Sequence, residues 1–163
     1  MFQTKINQYL PIGVEGDIAT DNPVASWVAG EGALVAAIGG VTIGRFAWVD
    51  ADNVVATNKG TGAPQGFISR EGQALITDWM GQASMVIPEG MAVDIKTRGD
   101  FFAISETDAS IGQKVFASTK DGKISTGAAG ATIADCVETI FSVCQAGDAG
   151  DVIIIGTWGN TNA

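Results

Sequence analysis

The sequence contains no histidine, and among its 163 residues there are only two cysteines, four prolines and one tyrosine. Without histidine the chain lacks the usual general base, the commonest metal ligand and any serine–histidine triad. No serine is followed by lysine three residues later, and neither a Gly-x-Ser-x-Gly motif nor a Gly-Lys-Ser/Thr phosphate loop occurs. We therefore expect that the protein is not an enzyme and that it binds no metal and no cofactor.

Basic residues are also scarce, with nine lysines and arginines against 18 acidic residues. The resulting net charge of −9 gives no affinity for phosphate groups, so we expect no nucleic acid and no anionic membrane as partner. The N-terminal sequence MFQTKINQYLPIG has no apolar core like that of a signal peptide, and no apolar run is long enough to span a bilayer. We expect a soluble protein made in the cytoplasm.

The two cysteines, Cys136 and Cys144, lie in the segment CVETIFSVC. On one continuous strand they would lie roughly 26 Å apart, given the rise per residue of a β-strand. A disulfide requires Cα atoms within about 7 Å, which excludes a bond inside that strand. The sequence therefore predicts two buried, reduced thiols.

No window of a dozen residues keeps apolar side chains at helical spacing; GQALITDWMGQ comes nearest, with at most one turn over residues 74–80. Instead, 22 glycines separate short runs that are rich in Ala, Val and Ile. Short strands between turn residues are typical of all-β proteins. We predict an all-β fold, a compact β-sandwich, jelly roll or barrel with an extended N-terminal arm.

The predicted strands follow one another along the chain with turn signals between them. Strands are expected in ALVAAIGG, VTIGRFAWVDADN, FIS, QALIT, SMVI, MAVDIKT, FFAIS, KVFAS, KIST, ATIADCVETIFSVCQ and DVIIIGTW. Asp121-Gly122 predicts a type I′ hairpin turn. The segment ATIADCVETIFSVCQ is expected to be one long strand, or two strands with a bulge.

Residues 1–12 are predicted to form an arm, and residues 13–163 a single β domain. Phe2, Ile6, Tyr9 and Leu10 are apolar, but their spacing is neither helical nor alternating. Apolar side chains on such an arm are expected to cover a surface, which could belong to their own domain, to a sister copy or to a partner. Together with Trp27, these four residues are the candidate contact residues.

Two short motifs suggest binding functions that the surrounding residues do not support. In DADNVVATNKGT, Asp50 and Asp52 match two calcium ligands, but Val55 and Thr61 stand where a calcium loop needs Gly and Glu, so a polar turn is favoured. The tripeptide Arg98-Gly99-Asp100 is the integrin-binding RGD sequence, yet it lies between two predicted strands. It is interpreted as a turn from which Arg98 and Asp100 project into solvent.

Over nearly its whole length the chain resembles the structural cement proteins, or capsid decoration proteins, of tailed phages. The resemblance rests on the ordered segments GVEGDIAT, VTIGRFAW, APQGFISREGQALIT, MVIPEG, GDFF, IGQKVFAS and GATIADCVET. GRFAW and PQGFISREGQALIT are its most specific parts. The resemblance implies that Gly99, Asp100 and Phe101 belong to the framework and that Arg98 is incidental to it.

The resemblance implies a β-sandwich or jelly-roll domain that binds the outside of the expanded phage head. It further implies contact with the major capsid protein at junctions between capsid subunits, self-association as a dimer or trimer, and stabilisation of the head against internal DNA pressure. The protein would be located in the virion, on the outer capsid surface, after synthesis in the host cytoplasm. The alternative is a carbohydrate-binding or adhesive β module that uses some of the four tryptophans, Trp27, Trp48, Trp79 and Trp158.

Overall fold

The computed structural model describes residues 13–70 and 85–158, and all regular structure in these ranges is β. The thirteen strands are β1 (Ala25–Ser26), β2 (Val35–Ala36), β3 (Val41–Thr42), β4 (Phe46–Val49), β5 (Val55–Thr57), β6 (Gly66–Ile68), β7 (Val86–Ile87), β8 (Ile95–Arg98), β9 (Asp100–Ile104), β10 (Lys114–Ser118), β11 (Ile124–Gly127), β12 (Cys136–Gln145) and β13 (Val152–Gly156). The prediction of an all-β fold is confirmed. The arm, the strand expected in QALIT and the turn expected at 74–80 lie outside the described residues.

The strands form two large sheets and one small one. The six-stranded sheet has the order β1-β8-β6-β4-β5-β2, the five-stranded sheet has the order β11-β10-β12-β13-β9, and β3 pairs with β7. Neighbouring strands are antiparallel, except that β2 and β5 run parallel. Neither large sheet closes on itself, so among the predicted architectures the sandwich fits and the barrel does not.

The centre of the six-stranded sheet, at β4 and β6, is buried on both faces. Phe46 and Trp48 of β4 belong to the core cluster shared with the five-stranded sheet, where the ring of Phe46 packs edge-on against Phe67 and Phe141. Ala47, which lies between them on the strand, belongs to a second cluster with residues of β3 and β7. Strand β4 is therefore apolar on both sides because both sides are covered, and Trp48 is a core residue.

The hairpin of β10 and β11 forms as predicted, but its turn is not of type I′. A type I′ turn requires positive φ at both central residues. Gly122 has φ +70°, whereas Asp121 is not among the residues with positive φ. The Ser118 amide donates to the Lys123 carbonyl at 2.9 Å, which closes a loop of four residues, and the Gly122 amide within this loop donates to the Ser118 carbonyl at 2.8 Å. Four-residue hairpin loops are most often built around type I turns, and these do not need the left-handed pair.

Strand β12 is one long strand, which was the first of the two alternatives predicted for this segment, and its pairing is irregular. Against β10 the register moves from Phe116↔Glu138 to Lys114↔Ser142, so β12 gains two residues there, and a second shift follows near Cys144. Cys136 and Cys144 form no disulfide, as expected. The prediction that both thiols are buried is wrong: each is half-buried, because neither lies among the core residues of the sandwich.

The RGD tripeptide joins the two large sheets, since β8 ends at Arg98 and β9 begins at Asp100. Arg98 is exposed, but the prediction that Asp100 projects into solvent is wrong, because its side chain is only 3% exposed. One carboxylate oxygen of Asp100 accepts hydrogen bonds from Thr20 Oγ1 at 2.8 Å and Asn22 Nδ2 at 2.6 Å. Asp100 therefore fixes the first described segment of the chain to β9, and an integrin-type display of both charges is excluded.

Candidate functional site

Trp27, the candidate contact residue that the structure describes, follows β1 at the edge of the six-stranded sheet. Its amide donates to the Ile95 carbonyl at 2.8 Å, which continues the pairing of β1 with β8. Its indole Nε1–H donates to Asn53 Oδ1, and Asn53 Nδ2 in turn donates to the Val28 carbonyl at 2.8 Å. These bonds hold the indole in place while 39% of the residue stays exposed.

Asn53 belongs to the Asp-Ala-Asp-Asn segment that resembled a calcium loop. One oxygen of Asp50 accepts hydrogen bonds from the amides of Val54 and Val55, at 2.8 and 2.9 Å. These two bonds hold the pKa of Asp50 below its ordinary value. Asn53 has a left-handed φ of +60°, which asparagine tolerates in tight turns. The segment is thus a polar turn that orients Trp27, and within 13–70 and 85–158 no cluster suited to a metal ion occurs.

Trp27 borders a cleft of about 440 Å³, which we call the Trp27 cleft. Both large sheets contribute to it, together with the loop before β6. Its lining consists of Trp27, Phe46, Ala63, Pro64, Gln65, Gly66, Thr97, Arg98, Glu138, Thr139, Ile140 and Phe141. Phe46 and Phe141 are core residues, whereas Trp27 and Ile140 are exposed, so the cleft runs from the core to an apolar rim.

The irregular pairing of β12 places Ile140 on this rim. Thr139 Oγ1 donates to the Val115 carbonyl at 2.8 Å, within the stretch where β12 gains two residues against β10. Phe141 then returns to the core, and Ile140 remains 59% exposed. An exposed β-branched side chain beside an exposed tryptophan is the kind of apolar surface that marks a contact site.

The loop that forms another wall of the cleft is held by the buried tryptophan of β4. Trp48 Nε1 donates to the Gly62 carbonyl at 3.0 Å. Gly60 lies against the same indole, because a Cβ at this position would be 2.3 Å from Trp48 Cγ. These two contacts hold the loop that carries Ala63 and Pro64 against the cleft.

The cleft carries two charged side chains with different surroundings. Glu138 accepts a hydrogen bond from the Gly130 amide at 2.7 Å, which orients its carboxylate. Arg98 is exposed and forms no ion pair with any described residue. The cleft is therefore suited to an apolar side chain accompanied by a carboxylate. Among the described residues that line the cleft there is no cysteine.

The other candidate residues do not meet at this cleft. Phe2, Ile6, Tyr9 and Leu10 lie outside the described residues, and so does Trp79. Trp158 is 48% exposed and donates from Nε1 to the Pro23 carbonyl at 2.7 Å. Ring-to-ring contacts within the described part of the chain involve only phenylalanines.

Sequence reasoning missed Ile140 and Arg98 as parts of the site. Ile140 carried a signal, because it is the one large apolar residue among the even-numbered positions of β12. The sequence carried no such signal for Arg98, since the residues around it indicate only a turn. The Cys136 thiol was not a site candidate and remains none, because burial raises its pKa and disfavours the reactive thiolate.

Comparison with known proteins relates residues 2–157 to a family of phage capsid proteins. The model of a family described as XM1 gp53 minor capsid protein matches residues 2–157. In the solved structure of the capsid of Myoviridae phage XM1, one chain matches with a TM-score of 0.62 and 19% identity, over 96% of both chains. The head fiber gp8.5 N base of bacteriophage phi29 matches weakly, with a TM-score of 0.43 and 13% identity, over 82% of this chain and 93% of that one. No curated protein matches the chain.

Across the described ranges, no helix is long and apolar enough to cross a membrane.

Proposed function

Since the chain belongs to the XM1 gp53 minor capsid protein family, and is therefore a phage capsid-associated protein of the virion, we propose that it is a cement protein that binds the outside of the expanded head. Family membership suggests a structural rather than an enzymatic role. The proposed partner is the major capsid protein, at junctions between its subunits, with the cement protein self-associating there as a dimer or trimer. The net charge of −9 supports the absence of nucleic acid and membrane partners.

The proposed action is a shift of the capsid equilibrium by selective binding. A protein that binds the expanded lattice and not the unexpanded or ruptured one stabilises the expanded state by mass action. At a free concentration of 100 times Kd, each site contributes about 2.7 kcal/mol. Many such sites on one head would resist the outward pressure of packaged DNA without any covalent chemistry.

The Trp27 cleft is the observation that carries this proposal to particular residues. Interface hot spots are enriched in tryptophan and lie in well-packed pockets beside apolar neighbours. Trp27 and Ile140 provide such a pair, and the hydrogen bond from Trp48 to the loop before Pro64 reduces the entropy lost on binding. The arm residues Phe2, Ile6, Tyr9 and Leu10 are proposed as further contacts.

Head-binding measurements with cleft variants test the proposal. The variants Trp27→Ala and Ile140→Ser are compared with wild type for occupancy on purified expanded heads. A hot-spot residue contributes about 2 kcal/mol or more, which predicts a loss of affinity of roughly 30-fold for Trp27→Ala. Ile140→Ser tests the same surface with a change at an exposed position, so it should leave the fold intact.

Ile38→Ser is the matched control, because Ile38 is 89% exposed on a turn that does not line the cleft. Normal occupancy by both cleft variants would show that the capsid contact lies elsewhere. Binding to a glycan array, with no binding to heads, would support the adhesive alternative instead.

A further inference from the structure

The first described residue, Gly13, lies on the side of the five-stranded sheet that faces away from the core, which we call the outer face. A Cβ on Gly13 would be 2.2 Å from Cδ2 of Phe102 on β9. Phe102 points away from the core, because its neighbours Phe101 and Ala103 both belong to the core cluster. The chain that precedes Gly13 therefore begins directly over the outer face.

The outer face is apolar where the chain enters it. On β12, β13 and β9 the side chains that alternate with core residues include Cys144, Val152, Ile154, Phe102 and Ile104. The register places Phe102 opposite Ile154 and Ile104 opposite Val152, so these residues form one patch across neighbouring strands. Antiparallel sheets that face water on one side usually carry polar residues there, so an apolar patch indicates that something covers it.

Two further features of this face favour a chain segment as the cover. Gly13 forms one wall of a cleft of about 400 Å³, whose other walls include Gln145 and Val152 at adjoining ends of β12 and β13. On the same face, the second carboxylate oxygen of Asp100 is buried and has no hydrogen-bond partner among the described residues. A buried carboxylate oxygen requires a donor. The sequence before Gly13 supplies amide and ammonium donors as well as apolar side chains.

We propose that residues 1–12 dock across the outer face of the five-stranded sheet of their own chain. Twelve extended residues span about 40 Å, and three strands are only about 10 Å wide, so the arm is long enough to cross β9, β13 and β12. Apolar side chains on one side of the arm, which carries Phe2, Ile6, Tyr9 and Leu10, cover the patch, and a polar arm side chain donates to Asp100. A docked arm still presents its other side outward, so this inference does not depend on the proposed cement function.

The two cysteines are a built-in reporter of arm docking. The Cys144 sulfur lies on the outer face, 3.0 Å from the position of a Cβ on Gly156 next to Asp100, whereas Cys136 is at the opposite end of β12. Single-cysteine proteins, Cys136→Ser and Cys144→Ser, each report one thiol. The rate of reaction with a small disulfide reagent is measured in the full chain and after deletion of residues 1–10.

Removal of the arm should raise the reaction rate of Cys144 severalfold and leave that of Cys136 unchanged. The double variant Phe2→Ser/Ile6→Ser keeps the chain length and should raise the Cys144 rate in the same direction, which keeps the test informative if the deletion unfolds the domain. Ile38→Ser, a change of an exposed apolar residue elsewhere, should leave both rates unchanged.

An unchanged Cys144 rate in both folded arm variants overturns the proposal. A Cys144 rate in the full chain that rises on dilution also overturns it, because the covering arm would then come from a second copy. Loss of head binding with an unchanged Cys144 rate would make the arm a capsid contact only, and would leave the proposed cement function standing.

Discussion

Replacement of Gly99 by alanine tests whether the corner between the two large sheets depends on glycine. Gly99 has φ +140°, a conformation that residues with a side chain rarely adopt. Its Cβ position lies 2.6 Å from Cζ of Phe101 and 3.2 Å from Cγ2 of Val24. Phe101 cannot retreat easily, because its ring packs against Phe67 at 5.1 Å between centroids.

The expected loss of stability has two parts. The unfavourable backbone conformation costs about 1–3 kcal/mol. Overpacking against a fixed aromatic ring adds about 1–3 kcal/mol. Together they cost about 2–6 kcal/mol. For a domain of this size each kcal/mol lowers the melting temperature by about 2–4 °C, so Gly99→Ala should lower it by roughly 4–24 °C. Gly99→Val should cost more, because its branched Cβ carries two further methyl groups into the same space.

Thermal and urea unfolding of three variants separate these contributions. Gly112→Ala is the matched control: Gly112 has φ +88°, but no atom lies within 4 Å of its Cβ position, so it reports backbone strain alone. Arg98→Ala, at the exposed neighbour, should change the free energy of unfolding by less than about 0.5 kcal/mol. If Gly99→Ala costs no more than Gly112→Ala, the close approach to Phe101 is not a constraint and the reasoning is refuted.

Three further predictions concern the polar contacts and the arm. Asp100→Ala removes two charge-assisted hydrogen bonds, but it also removes the cost of burying the second carboxylate oxygen. The free energy of unfolding, measured in urea, should therefore fall by about 1–3 kcal/mol. An unchanged free energy of unfolding would contradict the anchoring role of Asp100. Burial raises the pKa of Glu15, so its ionisation destabilises the fold at neutral pH. Glu15→Gln should therefore increase stability near pH 7, and the gain should vanish below about pH 4, whereas a gain that persists in acid would be inconsistent. Deletion of residues 1–10 should leave a folded domain that occupies expanded heads poorly. Loss of cooperative melting would instead make the arm part of the core, and normal occupancy would make it a frayed end.

The class of fold and most strand positions followed from the sequence alone. Apolar runs of strand length between glycines predict an all-β protein, since local backbone preference and turn chemistry act over only a few residues. The segments KVFAS, KIST and DVIIIGTW lie in β10, β11 and β13 for this reason. The resemblance to phage cement proteins likewise predicts a capsid-associated protein, and the family match confirms it.

The composition of the candidate site depended on contacts between distant parts of the chain. Trp27, Arg98 and Ile140 meet because β1 pairs with β8 and because β12 gains two residues against β10. Strand pairing at such separations is decided by the packing of whole sheets, and local pattern does not report it. The apolar arm could be seen in the sequence, but the face over which it begins could not.

The two charged residues of the RGD tripeptide show which properties follow from the sequence and which depend on the tertiary structure. The sequence by itself determined that Arg98-Gly99-Asp100 is a turn between strands. Only the tertiary structure decided that Arg98 faces a cleft while Asp100 is buried, because the partners of Asp100, Thr20 and Asn22, lie about 80 positions earlier in the chain. A turn motif specifies backbone direction, whereas burial depends on which segment packs over the turn, and that is a property of the assembled sandwich.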